Sequence, residues 1–144
     1  MFLPCVMCVS YLYWDKHFFY IYTSYRNPVH DGSLYNGLLD FMAPVQSVDY
    51  KAVLVFVSDD NAQHSEWLES VSPTHGHRRD ALDFCNRSGC EQLVPCATHI
   101  AGNRLYFVMT DVPDIVNVGL DTPLGISDHC FVSCVFCVDH SVPE

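Results

Sequence analysis

Residues 51–68 read KAVLVFVSDDNAQHSEWL, and the fold turns on how the two halves of that stretch are joined. The run from Ala52 to Val57 is apolar and β-rich with no polar alternation, the pattern of a strand covered on both faces. Asp59, Asp60, Asn61 and His64 follow at once. Polar side chains at the end of a buried strand either cap a turn or do chemistry, and Asp and Asn are ordinary turn formers. Asp59 and Asn61 are two apart, so a strand that persists projects both from one face and turns Asp60 away.

Working outward, HFFYIYTSY (17–25) carries the aromatic and β-branched residues of a second strand, closed by the turn-forming RNPVHDGS. Ser33 can cap a helix with Leu34, Leu38, Leu39 and Met42 on one side and Pro44 as its expected stop. Residues 65–79 are polar and irregular. RDALDFCNRSG then reads as a helix with Gly89 just past its end. NRLYFVMTD and HCFVSCVFCV are two more strands, separated by a Pro- and Gly-bearing segment that contains VPDIVNV. Strands alternating with helices, and strands covered on both faces, predict an α/β layered sandwich. At 144 residues this is one domain, without internal repeats.

An apolar fraction of 49% with 13% aromatics argues against disorder. Seventeen acidic against seven basic residues leave a formal charge of −10, which opposes general attraction to polyanions. Contact with nucleic acid then depends on a local site, on a bound divalent ion, or on both. Residues 1–14, MFLPCVMCVSYLYW, are apolar but shorter than a bilayer span needs, and they lack the basic start of a signal peptide. No membrane association is expected, and an intracellular place, nuclear or cytoplasmic, is favoured over secretion. Cys5/Cys8 and Cys134/Cys137 form two CxxC pairs, a spacing that suggests zinc. On a strand, however, residues three apart face opposite ways, so the alternative is cysteine as a small core hydrophobe.

His129, preceded by Asp128 in GISDHCF, stands at the entrance to the last strand. A carboxylate, a carboxamide and an Asp-His pair at strand ends are groups that a metal-assisted phosphoesterase uses to activate water, hold a phosphate oxygen and move a proton. A His beside an Asp is also a common surface pair. The order of the pieces adds to the spacing. YRNP, VFVSDDNAQHSEWL, DALDFCNRSGCEQLV, THIAGNRLYFVMTDVPD and PLGISDHCFVS, from about residue 20 to 138, resemble the endonuclease/exonuclease/phosphatase superfamily. More narrowly they resemble the endonuclease domain of non-LTR retrotransposons, of the endonuclease-reverse transcriptase type.

The resemblance implies a partial four-layer α/β sandwich with its first half largely missing, spanning residues 17–140, behind an apolar segment 1–16 of uncertain origin. It implies a metal-dependent phosphodiesterase that nicks DNA with Mg²⁺ or Mn²⁺. Tyr25 would donate a hydrogen bond beside the scissile phosphate, Asp59 would orient or deprotonate water, and Asn61 would position Asp59 and the phosphate. Asp128 would lie near the metal, and His129 would contact the phosphate and stabilise its charge. His64 and Trp67 also match residues common in this subfamily, with a packed loop as the structural reading of Trp67.

The departures are equally specific. The family carries an Asn and a metal-binding Glu upstream of the tyrosine, whereas the first glutamate here is Glu66 and the first asparagine Asn27. Where the family has an Asp that accepts a hydrogen bond from the active-site His, this chain has Tyr106. Ser58 replaces the usual Gly of GDxN, Asp60 replaces a commonly apolar residue, and Arg78 stands where a Gly is expected. Metal binding and DNA binding are therefore expected to be impaired. The sequence supports two readings, a degenerate copy of a retroelement endonuclease and a non-catalytic α/β binding or inert module.

Overall fold

In the computed structural model, which describes residues 5–14, 17–26, 33–48, 51–59, 76–102 and 104–137, the elements run as follows. Strands β1 (Cys5–Trp14) and β2 (His17–Arg26) precede helix α1 (Ser33–Val48) and strand β3 (Val53–Asp59). Helix α2 (Gly76–Ser88), the short β4 (Glu91–Gln92), β5 (Tyr106–Thr110), a 3₁₀ turn (Pro113–Ile115), β6 (Val116–Asp121) and β7 (Phe131–Phe136) complete the order. One sheet has the order β1-β2-β3-β5-β4, and β6 and β7 pair as a second. Within the larger sheet only β2 and β3 are parallel, as the α1 crossover between them requires.

Strand β3 explains its own sequence. Leu54 and Phe56 point to one face and pack with Tyr22, Phe107 and Met109 against Tyr35, Leu38 and Met42 of α1 and Ala81 and Phe84 of α2. The Phe56 and Phe84 rings meet edge to face at 5.2 Å. Val53 and Val55 point the other way, where Phe19 and Val108 join them against Val116, Val118 and Leu120 of β6 and Val132, Cys134 and Phe136 of β7. An uninterrupted apolar run is what burial on both faces demands, and each such side chain contributes about 1.5–3 kcal/mol. Helices, five-stranded sheet and two-stranded sheet make three layers, a mixed α/β sandwich. Among the described residues no helix covers the outer face of β6–β7, and none is long and apolar enough to cross a membrane.

Three expectations are corrected. Pro44 does not stop α1, which continues to Val48 with Pro44 inside it. The proline forgoes one backbone hydrogen bond, and the last turn is held by Val45 packing on the core and by the Ser47 hydroxyl donating to the Pro44 carbonyl at 2.8 Å. Helix α2 begins at Gly76, within the stretch read as irregular; it ends as expected, with Gly89 at φ +73° donating to the Cys85 carbonyl. The segment VPDIVNV is not a connection only, because Val116 opens strand β6.

The seven cysteines with described side chains are free. Burial pushes the Cys85 thiol up to about 12 and the Cys90 thiol up to about 11, so both stay protonated core hydrophobes. Cys137 accepts a hydrogen bond from the Asn117 amide at 3.1 Å, while Cys134 packs among the apolar residues between the two sheets.

Candidate functional site

The register places one row of polar residues at one end of the larger sheet. Tyr25 of β2 pairs with Asp59 of β3, and Asp59 pairs with Tyr106 of β5. Residues opposite one another across a ladder share a face, and this face is the one that carries Val55 and Val108 toward the second sheet. Tyr25 is exposed, while Asp59 and Tyr106 are half-buried.

Two loops bring the remaining groups to that row. Arg104 is buried and its guanidinium donates to the carbonyls of Pro95 and Cys96 at 2.8 and 3.1 Å, closing the loop that leads into β5. The buried Thr98 hydroxyl accepts from the amides of Leu105 and Tyr106. The loop so fixed pairs with the approach to β7. Ile100 donates to the Asp128 carbonyl, Cys130 donates to the Thr98 carbonyl, and His99 and His129 form an antiparallel bridge. The two imidazoles therefore stand face to edge, with ring centroids 5.0 Å apart.

Asp128 lies between them. His99 Nε2 is 3.1 Å from Asp128 Oδ2, and His129 Nε2 is 3.6 Å from Oδ1, the first a hydrogen bond and the second a longer charge contact. The Ala101 amide donates to His99 Nδ1 at 3.1 Å, so the neutral ring carries its proton on Nε2 and donates it to Asp128. That hydrogen bond is the first cause of an Asp128 carboxyl held below its usual range, although the side chain is 58% exposed.

His129 is placed differently. Its ring stacks on Tyr106 with centroids 5.0 Å apart and planes at 22°. Its Nδ1 is buried and has no hydrogen-bond partner among the described residues. The Tyr106 phenol is pushed up by burial, then by the charges of Asp59 and Asp128. Tyr106 thus touches His129 through its ring face.

The structure therefore gathers Asp128, His129 and Tyr106, with Asp59 and Tyr25 in the adjoining row. Asn61, His64 and Trp67 lie outside the described residues. His99 was not singled out by the sequence reading. It stands 29 residues from Asp128, and only the joint appearance of THIAGNRL and SDH in one pattern could have signalled it. His99, Asp128 and His129 offer one ligand atom each, all within 4.8 Å of one another. Two imidazoles and one carboxylate do not fit a hard, oxygen-seeking Mg²⁺ ion, which favours carboxylates, carbonyls and water.

No family model matches the chain, and no curated protein does. Among solved structures, the chain is similar to the endonuclease domain of TRAS1, a telomere-specific non-LTR retrotransposon, with 15% sequence identity and a TM-score of 0.64. The match covers 91% of this chain and 61% of that one, so the chain spans about three fifths of the domain it resembles. At that identity the likeness establishes the architecture, a nuclease-like α/β fold.

Proposed function

We propose that this chain is a degenerate copy of a retrotransposon-type DNA endonuclease domain, with phosphodiester hydrolysis at or near background. The observation that carries the reading is the Tyr106–His129 stack, which leaves the buried His129 Nδ1 without a partner among the described residues. In the family an Asp at this place accepts a hydrogen bond from the histidine and sets which nitrogen is protonated. A phenol ring lying on the imidazole sets neither tautomer nor direction. Tyr25, Asp59 and Asn61 are assigned the roles the resemblance implies: a hydrogen bond to phosphate, orientation of water, and positioning of Asp59. His129 would contact the phosphate and Asp128 would lie nearest a metal. DNA remains the proposed partner, held weakly.

Two lesions add. General acid–base orientation is worth roughly 10²–10⁴ in rate, and a bound metal supplies charge stabilisation worth several kcal/mol more. The donors near Asp128, two imidazoles and one carboxylate, do not suit Mg²⁺. Tyr106→Asp repairs only the first lesion and is expected to leave activity at background. The test is nicking of supercoiled plasmid with millimolar Mg²⁺ or Mn²⁺. Nicking by the wild type that Asp59→Ala or His129→Ala abolishes would overturn the reading and make this a working nuclease.

A non-catalytic binding module is the second reading, favoured by the same loss of histidine orientation. DNA retention without hydrolysis, weakened by Tyr25→Ala, separates it from an inert copy.

A further inference from the structure

We propose that His99, Asp128 and His129 form a site for a divalent transition-metal ion of the Zn²⁺, Co²⁺ or Ni²⁺ class. The proposal does not rest on descent from a nuclease, and it concerns a different donor set from the carboxylates that a Mg²⁺ site needs.

The geometry brings the donors close without joining them. Both carboxylate oxygens of Asp128 are engaged, Oδ2 with His99 Nε2 at 3.1 Å and Oδ1 with His129 Nε2 at 3.6 Å. Around an ion with nitrogen and oxygen ligands at about 2.0–2.2 Å, neighbouring donors lie roughly 3 Å apart. The group spans up to 4.8 Å, so small ring rotations close it. His99 and His129 keep 20% and 28% of their side chains exposed and Asp128 keeps 58%, which leaves an open side for water to complete the coordination. Imidazole nitrogen selects borderline ions over Mg²⁺, whatever the carboxylate contributes.

Proton placement makes the proposal specific. Free His99 is protonated on Nε2, because Nδ1 accepts from the Ala101 amide. Coordination through Nε2 requires that proton to leave and Nδ1 to take one from solvent, so the ring stays neutral and changes tautomer. The Ala101 amide then turns to water, which its exposed position allows. His129 Nδ1 has no acceptor among the described residues to support a ligating ring. Supported metal-binding histidines donate their second N–H to such a group, and affinity falls by roughly 10–100-fold without it. Binding roughly 10–100-fold weaker than at a site whose histidines are both supported is the consequence.

The test is a Co²⁺ titration of the full chain followed by absorbance, with Mg²⁺ as competitor. The expected result is one equivalent bound with visible d–d bands, no thiolate charge-transfer band in the near ultraviolet, and no displacement by millimolar Mg²⁺. His99→Ala should weaken binding by at least the roughly 10–100-fold that loss of an outer partner alone costs. Should that variant not fold, nitrogen-15 spectra of the wild type with Zn²⁺ decide instead, because His99 should pass from the Nε2–H to the Nδ1–H form. Three results overturn the proposal: no saturable binding, a thiolate band that His99→Ala leaves intact, or bound Zn²⁺ with the His99 tautomer unchanged.

Discussion

A tyrosine lying flat on an imidazole responds to pH unlike a carboxylate in the same position. Tyr106 is half-buried, and burial first, then the charges of Asp59 and Asp128, push its phenol above the ordinary tyrosine range. Once the pH passes about 10, the unfolded chain begins to lose the phenolic proton that the folded protein still holds. Stability therefore falls from that point until the folded phenol ionises, and below it this group contributes no pH dependence. Ultraviolet difference titration should show Tyr106 ionising late, as the buried Tyr22 also does, and Asp128→Asn should bring Tyr106 but not Tyr22 earlier. An unchanged titration in that variant would mean that the carboxylate does not border the ring. The stack adds about 0.5–1.5 kcal/mol to the area that Tyr106 buries. Tyr106 thus serves stability through its stack and its burial.

Among the elements, β3 and β5 are tied beyond their ladder by one side chain. The last rung is Val55–Thr110, and the next residue, Asp111, accepts the Leu54 amide through Oδ1 at 2.8 Å. Burial raises the Asp111 carboxyl, opposed first by that hydrogen bond. A carboxyl raised on folding keeps its proton longer in the folded state, so its contribution declines as pH rises from the ordinary carboxylate value through the folded one. Asp111→Asn keeps an acceptor and removes the buried charge, and should be neutral or stabilising at pH 7. Asp111→Ala leaves the Leu54 amide without its partner and should cost about 1–3 kcal/mol by denaturant melt. Equal effects from both variants would contradict this account. The elements differed in how far their sequences revealed them. Strand β3 was legible because burial on both faces leaves no polar interruption, and Gly89 marked the end of α2 because only a left-handed residue closes that turn. Strand β6 was missed although Val116, Val118 and Leu120 alternate toward the core, because Pro113 and Gly119 read locally as turn formers. Pro44 misled in the opposite sense, since packing of Val45 outweighs one lost hydrogen bond. At the site, Asp128 and His129 announced themselves by adjacency. His99 did not, because a bridge between two loops leaves no periodicity in either.

For the whole molecule, charge and uncovered apolar surface set two behaviours that salt drives in opposite directions. DNA binding should be weak and should fall steeply with salt, because a formal charge of −10 opposes approach and few bases remain to contact phosphate. Arg104 is withdrawn from that pool by its carbonyl contacts. Tight, salt-insensitive binding by fluorescence anisotropy would instead indicate base stacking. Association between copies should behave inversely. Among the described residues strand β1 pairs only with β2; it is uncharged along its length, and Val9, Tyr11, Leu12 and Tyr13 are exposed, so apolar side chains on both its faces and one edge are left without a described partner. On the second sheet Phe131 and Val135 are exposed as well. A long, apolar edge strand is a template for another strand, and natural proteins protect such edges with lysine or proline. Repulsion between two copies of charge −10 holds them apart at low ionic strength, and at about 0.1 M salt it is screened beyond roughly 10 Å. Sedimentation velocity should therefore show association that grows with protein concentration and with salt. Tyr11→Lys with Tyr13→Lys places two like charges on one face of the edge and should suppress it. A wild-type protein that stays monodisperse in high salt, with a cooperative melt, would show that the apolar surface of β1 is covered by other parts of the chain.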